Sequence, residues 1–84
     1  MVKIGKNIVY RYESKIKNGL TFIFNIDTGK IVVSSKMAYD LLKFIENNDE
    51  LQDIQHFSKE NYNITSSELN NFLEILIENK MIII

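Results

Sequence analysis

Residues 17–29 read KNGLTFIFNIDTG, and this stretch decides the fold that the sequence predicts. From Leu20 onward, large apolar side chains recur at every second position, which is the spacing of a β-strand. Asn18-Gly19 accepts the positive φ of a tight hairpin turn. Asp27-Thr28-Gly29 closes the strand with a second short turn, in which Gly29 takes the left-handed position. We therefore expect a central strand with an antiparallel neighbour on each side.

The segments on both sides of this strand fit that expectation. In residues 8–13, Ile8, Tyr10 and Tyr12 alternate with Val9, Arg11 and Glu13, again with a period of two. Lys30 to Ser34 form the third strand. The sequence thus predicts a three-stranded antiparallel meander, with the first and third strands at its two edges.

After Ser35 the apolar spacing becomes that of helices. Ser34 or Ser35 caps the first predicted helix, and Asn47-Asn48 ends it. The second helix is predicted from about Asp49 to Glu60, followed by a loop with Tyr62 and Ile64. The predicted apolar faces are Ala38, Leu41, Leu42 and Ile45 in the first helix, and Leu51, Ile54 and Phe57 in the second.

The third predicted helix begins at a capping box, with Thr65 as the cap and Glu68 three residues later. Its main apolar face is formed by Leu69, Phe72, Leu73 and Leu76. Met81 to Ile84 are expected either to form a short terminal strand or to pack under the helices. The predicted fold class is α+β and winged-helix-like, a three-stranded antiparallel sheet followed by three helices. We expect one domain over residues 1–84.

The chain has few residues of the types that commonly carry catalysis or bind metals. The chain has no cysteine, and its single histidine, His56, falls off the apolar face, so we expect it to be solvated and not to anchor a zinc site. The three glycines are scattered and do not form a phosphate-binding loop. The acidic cluster around Asp49 lacks the spacing and glycine of a calcium loop. We expect no catalytic residue, metal or cofactor, and predict that the chain is not an enzyme.

Charge is unevenly distributed along the chain. Residues 1–36 carry seven Lys and Arg against two Asp and Glu, a net +5, whereas residues 37–84 carry three against nine, a net −6. This asymmetry either attracts an acidic partner to one half or is ordinary surface variation. No signal-peptide core and no apolar run of ~20 residues is present. We therefore expect a cytoplasmic protein with no membrane partner.

Several segments match a known arrangement of turns and apolar positions. They are residues 25–30 (NIDTGK), 31–38 (IVVSSKMA), 41–45 (LLKFI) and 51–54, then Tyr62, Phe72-Leu73 with Leu76, and Met81-Ile82. Over about residues 8–83 this order resembles the PqqD-like family, the winged-helix-type domains also called RiPP recognition elements. The chain has Ser34-Ser35, Asn47-Asn48 and Glu50 where the family often has Leu-Asn, Asp-Gly and Thr, so the subfamily and its peptide are not assigned.

The resemblance implies that the domain binds the leader segment of a ribosomally synthesised precursor peptide and acts as a peptide chaperone in RiPP biosynthesis. The leader adds as a strand to the edge of the third strand, in the groove beside the third helix. Carried over by position, the peptide-binding residues are Lys30, Ile31, Val32, Val33, Ser34, Phe72, Ile75 and Asn79. Phe72 is alternatively a pure core residue, and Ile75 a flank residue of the helix packing. The implied enzyme partner is a radical SAM enzyme, a cyclodehydratase or a leader peptidase.

Two other functions fit the same pattern. A winged-helix DNA-binding protein would insert the third helix into the major groove, but this helix carries Glu68, Glu74 and Glu78 and no arginine, so we expect no nucleic-acid partner. A self-pairing dimerisation module would instead use the third strand to form a homodimer. The apolar pattern does not distinguish the last possibility from leader binding.

Overall fold

The computed structural model describes residues 1–84 and confirms the predicted α+β class. The elements in chain order are β1 (Lys3–Ile4), β2 (Ile8–Glu13), β3 (Leu20–Asn25), β4 (Ile31–Ser34), α1 (Lys36–Ile45), α2 (Leu51–Tyr62), α3 (Ser66–Glu78) and β5 (Ile82–Ile83). The three predicted strands are β2, β3 and β4, and the three predicted helices follow them. This winged-helix-like order is the one expected from the sequence.

The main sheet is an antiparallel meander in the order β2-β3-β4. The β2–β3 connection bends through positive φ angles at Asn18 (67°) and Gly19 (101°), as the Asn-Gly pair predicted. A Cβ at Gly19 would also meet the hydroxyl end of the Tyr12 side chain, so a substitution there would require Tyr12 to move as well. Gly29 has a φ of 75° in the second turn, again as predicted. Both turns are therefore set by local sequence.

The helices cover only one face of this sheet. Its inner face presents Thr21, Ile23 and Asn25 of β3, all buried, toward the core. The two polar side chains are satisfied there: Thr21 Oγ1 donates to the Ser35 carbonyl at 2.8 Å, and Asn25 donates to carbonyls at the end of α3. The buried apolar core consists of Val2, Ile23, Ala38, Leu41, Leu42, Ile45, Ile54, Leu69, Leu73, Leu76, Met81 and Ile82.

Helix boundaries agree with the prediction except at α2. Ser35 is the N-cap residue of α1, although its side chain makes no capping bond. The capping box of α3 is confirmed, since Thr65 Oγ1 accepts from the Glu68 N–H and the Glu68 carboxylate accepts from the Thr65 N–H. The prediction that Tyr62 lies in a loop was wrong, because α2 continues to Tyr62. Asn63 ends the helix in the left-handed conformation at φ 54°.

The two ends of the chain form a second, two-stranded sheet. β1 pairs with β5 in antiparallel register, with Lys3 opposite Ile83 and Ile4 opposite Ile82. Met81 and Ile82 are buried, so the terminal segment both pairs as a strand and packs into the core. Its partner β1 was not predicted. None of the three helices has the length and apolar character needed to cross a membrane.

Candidate functional site

The free side of β4 is an open sheet edge. The Asn25 N–H donates to the Lys30 carbonyl at 2.9 Å, so these two residues direct backbone groups toward each other, although the Lys30 N–H donates to Thr28 Oγ1 instead. Hydrogen-bonded and non-hydrogen-bonded pairs alternate along an antiparallel ladder. Val32 and Ser34, opposite Ile23 and Thr21, therefore direct their backbone groups to β3. It follows that the N–H and C=O groups of Ile31 and Val33 point away from the sheet.

This edge has little protection against pairing with another strand. Natural edge strands are guarded by charges, prolines or bulges, yet residues 31–34 contain neither a charge nor a proline. Lys30, which precedes the strand, is the one charged residue beside it. The opposite edge, β2, carries the ion-paired Arg11 and Glu13. Of the two edges, β4 is the one better suited to accept a further strand.

Side chains of β4 alternate between two environments. Ile31 and Val33 lie on the outer face of the sheet and are 57% and 51% exposed. Val32 and Ser34 are half-buried on the inner side, where Val32 packs against the hydrophobic core. A strand added here would meet apolar neighbours on both of its sides.

The predicted residues of α3 share one flank of that helix, since Phe72, Ile75 and Asn79 are spaced by three and four positions. Phe72 is half-buried against the core, whereas Ile75 is 47% exposed. Asn79 is half-buried and its Nδ2 donates to the Ile75 carbonyl at 2.8 Å, so it caps the end of its own helix. Phe72 therefore has a packing role, and Ile75 is the most accessible apolar side chain of this flank.

Asn25, which is not among the predicted site residues, connects these two parts of the site. Its Nδ2 donates to the carbonyls of Asn79 and Lys80, both at 3.1 Å. Its register partner is the first residue of the predicted edge, Lys30. The end of α3 is thus tied to β3 beside the start of β4. The sequence gives no signal for this role, because alternation alone does not show that Asn25 points inward.

The eight predicted residues do not form a closed pocket. None of them lines the five principal surface pockets, the largest of which, about 750 Å³, lies at the chain ends beside Ile77, Ile82 and Ile83. The arrangement is an open edge whose start lies near the end of α3, which suits an extended polypeptide better than a compact small molecule.

Groups with perturbed pKa values lie away from this edge and have structural causes. Burial, with help from the Asp40 carboxylate that accepts its hydrogen bond, raises the pKa of Tyr62 to about 12. Hydrogen bonds from the backbone and side chain of Thr65 lower the pKa of Glu68. Tyr62 links α2 to α1 through its hydrogen bond to Asp40, and Glu68 belongs to the N-terminal capping box of α3.

The acidic and histidine side chains form surface pairs and no metal-binding group. No three His, Cys, Asp or Glu side chains are grouped so that they could hold a metal ion. His56 is exposed, as predicted, and lies 3.1 Å from Glu60 one helical turn away. Such a surface pair is typical of a solvated helix face.

The chain was compared with protein-family models, curated protein sequences and solved structures, and no significant match was found. The resemblance to PqqD-like domains therefore stays a prediction. What the fold and the edge define is a small α+β domain with one unguarded edge strand, whose start lies near the end of α3.

Proposed function

We propose that this domain binds the leader segment of a ribosomally synthesised precursor peptide as an additional strand on β4. The observation that carries the proposal is the outward direction of the backbone groups of Ile31 and Val33. Strand addition uses such main-chain groups for affinity and the alternating side-chain environments for specificity. The resemblance of the sequence to PqqD-like domains supports the leader as the occupant.

An added leader has two distinct sides. Leader residues on the outer side lie next to Ile31 and Val33, and cross-strand apolar pairs of this kind stabilise a sheet by roughly 0.2–1 kcal/mol each. Leader residues on the inner side lie next to Val32 and face the flank of α3 that carries Ile75. We therefore propose a leader segment of about four to five residues with apolar side chains on both sides.

The domain delivers this leader to a separate maturation enzyme in the cytoplasm. The enzyme is a radical SAM enzyme, a cyclodehydratase or a leader peptidase. The sheet-bearing half of the chain, with its net +5 charge, favours an acidic leader and accelerates the encounter. DNA is disfavoured as an alternative ligand because α3 presents three glutamates to any duplex in its path.

The proposal is tested by titrating the ¹⁵N-labelled domain with the leader segment of the precursor encoded beside it. We expect saturable amide shifts along residues 31–34 and along 72–79. Val33→Pro is the discriminating variant, because proline removes the outward N–H and leaves the ladder bonds of Val32 and Ser34 to β3 intact. We expect the leader to bind this variant at least about tenfold more weakly.

Val33→Thr is the matched control, since threonine keeps the branched shape and the N–H and is expected to leave main-chain pairing unchanged. Absence of shifts at high leader concentration, or equal binding by the proline and threonine variants, would refute strand addition. The same edge also favours self-pairing into a homodimer. Light scattering over a range of concentrations tests this, and a stable dimer that excludes the leader would replace the proposal.

A further inference from the structure

The outer face of the main sheet has an unusual composition. In an antiparallel sheet with one covered face, the solvated face is normally the polar one. Here the outward positions of the central strand are Leu20, Phe22 and Phe24, whereas two of its three inward positions, Thr21 and Asn25, are polar. The hydrophobic side of the central strand therefore lies on the outer face, where these three side chains are half-buried.

The neighbouring strands enlarge this apolar face. Val9 stands opposite Phe24 on β2 and is 50% exposed, and Ile31 and Val33 stand opposite Phe24 and Phe22 on β4. The rings of Phe22 and Phe24 are stacked with centroids 6.5 Å apart. We call Val9, Phe22, Phe24, Ile31 and Val33 the outer patch. Three of these five side chains are exposed and the two phenylalanines are half-buried; contiguous apolar patches at a protein surface mark interaction sites.

The size of the outer patch matches one α-helix. Three strands span about 10 Å between the outer backbones, and six residues extend for about 20 Å. A helix with its side chains is about 10–12 Å wide, and about 13 residues reach 20 Å. One amphipathic helix of three to four turns therefore covers the patch, as α1 covers part of the inner face.

Charges at both ends of the sheet, together with the ion-paired Arg11 and Glu13 on the outward side of β2, define the polar rim that such a helix must match. Lys15 and Lys17 lie in the β2–β3 connection at one end, and Lys6 and Lys30 lie at the other. The one carboxylate in the second turn, that of Asp27, accepts hydrogen bonds from the Asn7 amide. A second copy of this face would bring lysines against lysines, so the rim favours an acidic partner over self-association.

We propose that the outer patch is a docking site for an amphipathic helix of another protein, with an apolar stripe and acidic residues at both ends. This site shares only the side chains of Ile31 and Val33 with the leader-binding edge and does not depend on the proposed function. It allows the domain to hold a second polypeptide while β4 remains open.

The test uses two lactam-stapled 14-residue helices with the same leucine stripe, one with glutamates and the other with lysines at both ends. The staple is needed because an unsupported helix of this length is marginal in water. We expect the acidic helix to bind saturably, with amide shifts centred on Phe22 and Phe24 and an affinity that falls with salt. The basic helix is expected to bind at least about tenfold more weakly.

Two variants separate this site from the leader edge. Val9→Thr combined with Phe24→Thr is expected to weaken binding of the acidic helix by about tenfold or more while leader binding is retained. Ile75→Thr is the matched control and is expected to leave helix binding unchanged. If neither helix binds, if both bind equally, or if the shifts map to β4 backbone and α3 instead, the docking site is refuted.

Discussion

Replacing Asn25 tests how the edge and the helix flank are held together. Its side chain makes four hydrogen bonds: two to the carbonyls of Asn79 and Lys80, and two accepted from the N–H groups of Asp27 and Thr28 at 3.0 and 3.2 Å. The turn N–H groups are on exposed residues and regain water bonds when the side chain is removed. Only the two hydrogen bonds to the carbonyls contribute fully to the free energy of unfolding, at about 1–1.5 kcal/mol each. We expect Asn25→Ala to lower the free energy of unfolding by about 2–3 kcal/mol.

Asn25→Asp separates the two halves of this network. The introduced carboxylate still accepts from the turn but cannot donate to the two carbonyls. The folded state therefore favours the protonated form, and the pKa of the introduced carboxyl rises above its unfolded value of about 3.9. Since the folded state then binds more protons, stability falls as the pH rises through the unfolded pKa and levels off above the folded pKa. We expect this variant to be less stable at pH 7 than at pH 4, after correction for the wild type.

Urea unfolding followed by circular dichroism at both pH values measures these effects. A loss of less than about 0.5 kcal/mol for Asn25→Ala, or a pH-independent loss for Asn25→Asp, would contradict the network described. Because the same bonds hold the end of α3 beside the start of β4, we also expect both variants to weaken leader binding even though the β4 sequence is unchanged.

Two further predictions address the sheet faces and Tyr62. Ile23→Ala should lower the free energy of unfolding by about 3 kcal/mol, because it leaves a cavity in the core. Val9→Thr on the outer face should change the free energy of unfolding by no more than about 0.5 kcal/mol. Equal losses for the two variants in urea unfolding would show that the inner and outer faces are misassigned. Tyr62 keeps its proton to a pH of about 12 in the folded state, so stability should fall as the pH rises above about 10 and level off above about 12. Tyr62→Phe should remove this part of the alkaline loss, and identical pH profiles for the two proteins would contradict it.

The elements that could be predicted are those set by local sequence. Asn18-Gly19 and Gly29 require or accept positive φ, so both hairpin turns were identified without knowledge of the tertiary structure. Thr65 and Glu68 form their capping box within one helical turn. The pairing of β1 with β5 joins the two ends of the chain. Because β1 has two residues, it shows no periodic pattern that would identify it.

The sequence pattern alone does not determine which face of β3 is buried. Ile23 is apolar on one side and Phe22 and Phe24 on the other, so alternation identifies a strand without choosing its core side. Which face is buried depends on hydrogen bonds between distant parts of the chain. Thr21 and Asn25 can be buried because they donate to the Ser35 carbonyl and to carbonyls at the end of α3. For the same reason the role of Asn25 and the exposure of the outer patch emerged only from the structure.

The candidate edge was predictable in part. Strand order identified β4 as an edge, but which of its residues have free backbone groups depends on the register set by the Asn25–Lys30 pair. The positions of Phe72 and Asn79 show the other limit. Spacing places both on one flank of α3 with Ile75, but one packs against the core and the other caps its helix.

The two proposed surfaces share Ile31 and Val33, which direct backbone groups to the edge and side chains to the outer patch. A leader paired with β4 widens the outer face by one strand, about 5 Å. A helix docked there then contacts outward side chains of the leader as well as those of the domain. Any gain in helix affinity from this added area must appear as an equal gain in leader affinity, because coupling between two binding sites is reciprocal. An enzyme that docks by such a helix would therefore bind the leader-loaded domain more tightly than the empty one.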